Sequence, residues 1–500
     1  MASTKESLWD IDTPFPSAER SVPPTSSLAS RTALYEKFKS SITTNPALDR
    51  TLVSFQGNRD TPFSGWFKYR EGFSEALVTY LLQQLKPKPG ILLDPFSGAG
   101  SALFGASALG WRTKGIEVLP VGIYATKARM IVRRVDVSTL YKVIAHLKQV
   151  NFADYFDASF AFSHIAITRG AYPPEEEKQL VGFRAYCHQE VDDADLRTLL
   201  LYAAFCILEE ISFTRKDGQY LRWDVRSGRS QGKKPFDKGR ILSFHEALFD
   251  KLKQMASDLD RDSLQQTLFE DDALLRCHPS IQEPELQEGS CLELLPSMEA
   301  ESLDCALTSP PYANRYDYTR TYALELVYLG CGDERVKQLR QAMLSCTVEN
   351  KEKRAQLLNL YQTLQQEQTF RRVETVFQGQ EALQEVLAVL EQYRRDGHLN
   401  NENIARLVRN YFYEMCFVIY ELARVLKPGG LVIMVNDNVR YAGEEVPVDL
   451  ILSDMAESFG LRTKHIWTLG RGKGNSSQQM GSHGRTELRK CVYVWEKPLS

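Results

Sequence analysis

The stretch Ile91-Leu-Leu-Asp-Pro-Phe-Ser-Gly-Ala-Gly100 decides the fold class of this chain. Its first three residues form a short apolar run, which predicts a buried strand, and the run ends at Asp94 before a turn that contains two glycines. An Ala/Leu-rich helix follows at about residues 101–109, and Thr113-Lys-Gly-Ile-Glu117 predicts a second strand. A strand, a helix and a further strand in this order form a βαβ unit, so the sequence predicts an α/β fold.

Apolar runs farther along the chain extend this unit into a larger sheet. Four more short strands are predicted, at residues 303–307, 431–435, 465–469 and 491–495. The gaps between them are far longer than ordinary loops, and the second gap is rich in helix-forming residues with balanced charges. We therefore expect one α/β domain that two long insertions interrupt.

The composition is that of an ordinary globular protein. Hydrophobic residues make up 43% of the 500 residues and charged residues 25%, which excludes the disordered, collagen-like and coiled-coil classes. The net charge is −3, so contact with a polyanion would depend on local basic patches. The nine cysteines include no C-x-x-C and the eight histidines no H-E-x-x-H, so we expect reduced thiols and no metal site. The polar N-terminus and the short apolar run at residues 199–208 predict a cytoplasmic protein without a membrane span.

The turn after the first strand has the features of a ligand site. In an open α/β sheet, ligands bind beyond the carboxyl ends of the strands, and Gly98 and Gly100 remove Cβ atoms that would keep a ligand from the backbone there. Asp94 suits a cationic ligand, and Glu117, at the end of the next strand, is placed to accept both hydroxyls of a ribose. These residues indicate a cationic, ribose-bearing cofactor. The alternative is an ordinary β-to-α turn that binds nothing.

A second polar segment, Thr308-Ser-Pro-Pro-Tyr312, follows another predicted strand. The prolines have fixed φ and no N–H, so they can hold carbonyl oxygens outward as acceptors for an amino group, and Ser309 adds a further acceptor. Tyr312 offers a ring on which a planar base can stack. The alternative is a strand that ends in prolines, followed by a packed tyrosine.

Taken together, the two segments resemble motifs I and IV of the S-adenosylmethionine-dependent DNA amino-methyltransferases, which methylate N4 of cytosine or N6 of adenine. Trp66-Phe-Lys-Tyr-Arg-Glu-Gly-Phe-Ser74 resembles the motif before motif I, and Val425-Leu-Lys-Pro-Gly-Gly-Leu-Val-Ile-Met-Val435 resembles the strand region after motif IV. The resemblance covers roughly residues 60–130, 285–325 and 405–498. It implies an α/β, Rossmann-like class I methyltransferase fold, with a mostly parallel, seven-stranded sheet and two large, partly helical insertions.

This resemblance also gives a division of the chain into six parts. They are a flexible N-terminal arm (1–50), a cofactor-binding part (51–134), an inserted target-recognition region (135–285), a catalytic part (286–328), a helical insertion (329–404) and a C-terminal part of the methyltransferase domain (405–500). Motif I precedes motif IV, as in the family's class that has its cofactor motifs first. Gly289-Ser-Cys follows the first insertion instead of preceding it, which departs from that class.

The resemblance assigns roles to individual residues. The expected cofactor-binding residues for S-adenosylmethionine are Asp94, Pro95, Phe96, Ser97, Gly98 and Gly100 at its methionine end, Glu117 at its ribose, Val118 at its adenine, Phe73 and Ser74 closing the methionine side, and Ser290 where the family commonly has an Asp. The expected catalytic residues are Ser309, Pro310, Pro311 and Tyr312. Ser309 and the Pro310 carbonyl would hold the target amino group, and Tyr312 would stack on the flipped base.

Ser309, the first residue of the Ser-Pro-Pro-Tyr tetrad in motif IV, bears on which base is methylated. Ser at this position is associated with N4-cytosine members and Asp or Asn with N6-adenine members, so we expect N4 of cytosine, with N6 of adenine as the alternative. Methylation at cytosine C5 is disfavoured because the chain contains no Pro-Cys nucleophile. A DNA-binding module without activity and an RNA methyltransferase are the alternatives from other classes.

Two basic stretches are the expected contacts to double-stranded DNA. Residues 213–240 contain nine Lys/Arg against three Asp, and residues 462–490 contain seven Lys/Arg against one Glu. The candidate DNA-binding residues are Arg215, Lys216, Tyr220, Arg222, Trp223, Arg226 and Arg229 in the first stretch, and Arg471, Lys473 and Arg485 in the second. The alternative for each stretch is a solvated surface. A cognate restriction endonuclease or defence-system partner is the further partner that the resemblance implies.

Overall fold

The computed structural model describes residues 29–218, 220–229, 235–270, 282–470 and 488–499. The strands within these residues are β1 Ile42–Asn45, β2 Ile91–Asp94, β3 Arg112–Glu117, β4 Thr214–Asp217, β5 Tyr220–Trp223, β6 Glu285–Glu288, β7 Leu303–Thr308, β8 Leu426–Asp437, β9 Val439–Tyr441, β10 Glu444–Val446, β11 Arg462–Leu469 and β12 Lys490–Glu496.

The helices of the same residues are α1 Ala29–Phe38, α2 Glu75–Leu85, α3 Ser101–Ser107, α4 Pro120–Ile131, α5 Val137–Leu147, α6 Pro174–Glu190, α7 Ala194–Cys206, α8 Phe244–Glu270, α9 Cys291–Leu294, α10 Tyr318–Thr321, α11 Ala323–Tyr328, α12 Asp333–Ala342, α13 Arg354–Thr363, α14 Glu367–Gly379, α15 Glu381–Arg395, α16 Ile404–Val425 and α17 Val448–Ser458. No helix among the described residues is long and apolar enough to cross a lipid bilayer.

The central sheet has eight strands in the order β1-β11-β12-β8-β7-β2-β3-β6. Neighbouring strands are parallel except at β12, which is antiparallel to both β11 and β8. The architecture is therefore α/β with a mostly parallel sheet, compatible with the predicted Rossmann-like methyltransferase fold. The expected count of seven strands was wrong, because residues 42–45 pair in parallel with β11 and add an eighth strand at the edge.

Alternate side chains of the central strands point to opposite faces of the sheet, and helices cover both faces. On β2, Leu92 packs in the same apolar cluster as helices α2 and α3, whereas the neighbouring Leu93 packs in the cluster that contains α16 and α17. Both side chains are fully buried. Because β2 pairs in parallel with both β3 and β7, the carboxyl ends of these three strands lie side by side. Helices cover the sheet on both faces at this point.

The first insertion shares an apolar core with the segments that flank it. Helices α5 to α8 pack together with Trp66, Phe67 and Tyr69 of the segment before motif I, and with residues 322–343 after motif IV. The second insertion instead adds α13 to α15 to the cluster around α16. The segment before motif I and the segment after motif IV thus pack against the first insertion.

Candidate active site

An open cavity lies at the carboxyl ends of β2, β3 and β7, and its empty space of about 750 Å³ includes solvent at its mouth. Eleven of the predicted site residues line it: Phe73, Asp94, Pro95, Phe96, Ser97, Gly98, Glu117, Val118, Ser290, Ser309 and Pro311. Four others lie outside its lining: Ser74, Gly100, Pro310 and Tyr312. The predicted cofactor segment and part of motif IV therefore share one cavity.

Asp94 ends β2 at the floor of this cavity and is 2% exposed. Its Oδ1 accepts hydrogen bonds from Thr308 Oγ1 at 2.5 Å and from the Phe96 amide at 3.0 Å. Burial raises the pKa of the Asp94 carboxyl to about 7, against the lowering effect of these two hydrogen bonds. The site thus holds a carboxylate whose charge is poorly solvated, and a cation beside it would stabilise that charge.

Glu117 ends β3 and folds back over the glycine turn. Its carboxylate accepts hydrogen bonds from the amides of Gly98 at 2.6 Å, Val118 at 2.9 Å and Leu119 at 2.8 Å. Burial raises the pKa of this carboxyl, and the three amide bonds oppose that rise. A carboxylate offers about four acceptor positions, so at least one position remains after these three bonds.

Two glycines of the turn have left-handed backbone conformations, with φ of +51° at Gly98 and +83° at Gly100. A Cβ at Gly98 would lie 2.7 Å from the Tyr69 ring, and one at Gly100 would lie 2.9 Å from the Phe104 ring. Only glycine meets both requirements without strain. Gly100 immediately precedes α3, so it shapes the turn without lining the cavity.

The Ser74 hydroxyl both donates and accepts a hydrogen bond within the protein. Its hydroxyl donates to the Leu52 carbonyl at 2.7 Å and accepts from the Leu77 amide at 3.1 Å, which makes it the N-cap of α2. The side chain is fully buried and does not reach the cavity. Ser74, a predicted cofactor contact, thus lies outside the cavity lining, whereas its neighbour Phe73 lines the cavity.

Motif IV leaves the sheet directly after β7. Ser309 lines the cavity and donates a hydrogen bond of 3.3 Å to the Tyr312 hydroxyl oxygen. Pro310 is buried, and the next segment is fixed by a hydrogen bond from the Tyr441 hydroxyl to the Ala313 carbonyl. Ser309 is thus positioned at the cavity wall, next to a tyrosine that lies outside the cavity lining.

Several lining residues were not predicted. Tyr69 and Glu71 belong to the segment before motif I, where the quoted motif placed them next to Phe73 without assigning them a role. Tyr69 stacks on Tyr322 with ring centroids 5.1 Å apart, and Glu71 accepts hydrogen bonds from the hydroxyls of Tyr316 and Tyr322. Residues 342–344 of the second insertion also line the cavity, and no local signal marks them.

Known proteins that are similar to this chain over most of its length bear on what the cavity does. Type II methyltransferase M.AvaI of Nostoc sp. (strain PCC 7120) is 45% identical over 469 residues, which is 93% of each chain, and M.AvaI of Anabaena variabilis matches to the same extent. Type II methyltransferase M.BsoBI of Geobacillus stearothermophilus is 39% identical over 485 residues, 94% of this chain and 92% of that protein. The chain belongs to the type II DNA methyltransferases. No family model and no solved structure matches it.

The type II methyltransferase carries a hairpin, β4–β5, on its first insertion. Arg215 and Arg222 are direct cross-strand partners in this hairpin, and Tyr220, 56% exposed, lies on the same outward face. Like charges directly opposite each other repel, and Asp217 on the same face offsets part of this repulsion by pairing with Arg222. Arg222 retains 41% exposure despite a 3.3 Å ion pair with Asp217.

Lys216, a predicted DNA contact, lies on the inward face of the same hairpin. It is 3% exposed, forms an ion pair with the buried Glu325, and lies over the rings of Phe67 and Tyr322. The period of two along a strand explains this, because Arg215 and Lys216 must point to opposite faces. Lys216 therefore holds the hairpin onto the body of the methyltransferase.

The other candidates of the first basic stretch are partly occupied by contacts within the protein. Arg226 forms an ion pair with buried Asp224 at 2.7 Å, and Arg229 lies 3.7 Å over the Trp223 ring and donates to the Ala166 carbonyl. These contacts give Arg226, Arg229 and Trp223 a structural role in the loop. Arg471, Lys473 and Arg485 lie outside the described residues.

Proposed function

We propose that this methyltransferase transfers a methyl group from S-adenosylmethionine to the exocyclic N4 amino group of cytosine in a specific sequence of double-stranded DNA. The observation that carries the proposal is the hydrogen bond from Thr308 Oγ1 to Asp94 Oδ1. It joins the last residues of β7 and β2, so that Ser309 and Asp94 line the same cavity. A methyl donor and an amino acceptor must meet within a few ångströms, and this arrangement suits that requirement.

The cavity residues fit S-adenosylmethionine by their chemistry. Asp94 offers a poorly solvated carboxylate to a cationic ligand, and Glu117 keeps acceptor capacity for ribose hydroxyls. Phe73, Phe96 and Val118 supply apolar surface within the same cavity. When bound, this cofactor supplies an electrophilic methyl group on a sulfonium.

Ser309 and the Pro310 carbonyl would then hold the target amino group. Accepting its two N–H bonds draws the nitrogen lone pair out of conjugation with the base ring and orients it for attack. Because a duplex hides this nitrogen, the base must rotate out of the stack, at a cost of about a few kcal/mol. Tyr312, linked to Ser309 by their hydrogen bond, would offset this cost by stacking on the base.

The choice of cytosine over adenine rests on Ser309, because serine at this position of motif IV is associated with the N4-cytosine members of the DNA amino-methyltransferases. Expression in a methylation-deficient host, followed by sequencing that distinguishes N4-methylcytosine from N6-methyladenine, tests this choice. N4-methylcytosine in one short motif is expected. N6-methyladenine would keep the reaction type and overturn the base assignment, and binding of S-adenosylmethionine without any DNA mark would point to an inactive module or to RNA. A restriction endonuclease that cleaves the same motif is the expected partner.

The outward face of the β4–β5 hairpin is the proposed DNA contact. We expect Arg215→Ala and Arg222→Ala each to weaken DNA binding several-fold and to reduce the slope of log affinity against log salt by about one, because each removes a phosphate contact. Fluorescence anisotropy over a series of salt concentrations measures both quantities. Arg371→Ala is the matched control, since its side chain on α14 is 75% exposed. An unchanged slope in both hairpin variants would move the contact elsewhere.

A further inference from the structure

A lysine and a carboxylate face each other at the edge of the sheet beside Tyr312. Lys490 begins β12 and Asp437 ends β8, and the two are partners in the antiparallel pairing of these strands. Lys490 Nζ lies 3.6 Å from Asp437 Oδ1 and 6.0 Å from the centroid of the Tyr312 ring. Since Met434 of β8 pairs with Thr308 of β7, the ion pair and Tyr312 leave the sheet at the same edge.

The hydrogen bonding of this pair is incomplete. Among the described residues, Asp437 Oδ1 is enclosed and has no hydrogen-bond partner, because 3.6 Å from Lys490 is too long for one. Burial lowers the pKa of Lys490, but Tyr312 and Asp437 raise it, and the pKa ends above its ordinary value, so the ammonium stays charged. The side chains of Lys490 and Asp437 remain 28% and 35% exposed. Lys490 therefore offers hydrogen-bond donors next to the tyrosine, whereas Asp437 Oδ1 itself is enclosed.

We propose that Lys490, positioned by Asp437, reads the flipped base by donating hydrogen bonds to the N3 and O2 acceptors of cytosine. This inference rests on the proposed function, since it takes the base beside Tyr312 to be cytosine. An ammonium carries three donors, so Lys490 can serve Asp437 and the base at once. Adenine has an acceptor next to its amino group but a C–H where cytosine has O2, so the same lysine discriminates between the two bases.

The test uses Lys490→Met, which keeps the length of the side chain and removes its donors. The substrates are two duplexes with the motif found by genome sequencing, one with cytosine at the target position and one with 3-deazacytosine, in which C–H replaces N3. We expect Lys490→Met to lower kcat/KM on cytosine by about 20-fold, as the loss of a charge-assisted hydrogen bond predicts. On 3-deazacytosine the same substitution should cost clearly less, because the bond to N3 is already absent and only the bond to O2 can be lost. Asp437→Asn should show the same pattern with a smaller loss.

Two further measurements separate this role from a structural one. The dissociation constant for S-adenosylmethionine should stay within about twofold in Lys490→Met, and Lys464→Met, which removes the surface pair with Glu496, should match the wild type throughout. Two outcomes would overturn the inference and leave the proposed function intact. One is an unchanged kcat/KM in Lys490→Met. The other is a loss of kcat/KM from this substitution that is equally large on cytosine and on 3-deazacytosine. Methylation of adenine by the wild type would overturn both.

Discussion

Asp94→Asn is expected to weaken S-adenosylmethionine binding by roughly 100- to 1,000-fold without destabilising the ligand-free protein. The side-chain oxygen of Asn can still accept the hydrogen bonds of Thr308 and Phe96, so the turn keeps its contacts. What is lost is the negative charge that would face the cationic cofactor in a cavity where little water screens it. Titration calorimetry measures the dissociation constant directly.

The pH dependence of the same variant gives an independent readout. In the ligand-free wild type the pKa of Asp94 is raised to about 7, so the carboxyl is increasingly neutral below that pH and the affinity for the cation should fall there. Asp94→Asn should lack this fall. The native carboxyl also binds its proton more tightly than the unfolded one, so its contribution to stability grows as pH falls from about 7 towards about 4. Compared with the wild type, Asp94→Asn should therefore be most stable against unfolding above pH 7.

Asp304→Asn is the matched control for these measurements. Asp304 lies on the neighbouring strand β7, where its carboxylate accepts from the Ile91 amide at 2.8 Å and pairs with Lys427, and it does not line the cavity. Its substitution should leave the dissociation constant for S-adenosylmethionine unchanged. An unchanged dissociation constant in Asp94→Asn as well would contradict the cofactor assignment.

The framework of the fold could be predicted because its signals are local. Apolar runs marked the central strands, and the glycine turn after Asp94 marked the edge at which the cavity opens. Strand β1 could not be predicted in the same way. Its sequence, Ile42-Thr-Thr-Asn45, has one apolar residue, and it becomes a strand by pairing with the backbone of β11. The partner strand lies about 420 residues away along the chain, so the residues near β1 do not indicate that it will form a strand.

The candidate site was predictable where residues act through a short motif and not where distant chain segments meet. A charge count over residues 213–240 treats Arg215 and Lys216 alike, although the alternation of the strand sends one to solvent and the other into an ion pair with Glu325. Residues 342–344 reach the cavity from the end of α12, which packs against α10 after motif IV. Neither placement follows from residue type or spacing.

Tyr312→Ala is expected to lower kcat/KM for methyl transfer by about 100-fold while leaving the dissociation constant for S-adenosylmethionine within about twofold. Tyr312 lies outside the lining of the cofactor cavity, so its removal takes away a stacking surface for the base and the hydrogen-bond acceptor of Ser309, without touching the proposed cofactor contacts. Tyr312→Phe keeps the ring and should lose only a few-fold, which separates stacking from the hydrogen bond. A mismatch opposite the target base lowers the cost of flipping and should partly restore activity in Tyr312→Ala. Equal loss of cofactor binding and transfer, or no rescue by the mismatch, would contradict the role of this tyrosine in holding a flipped base.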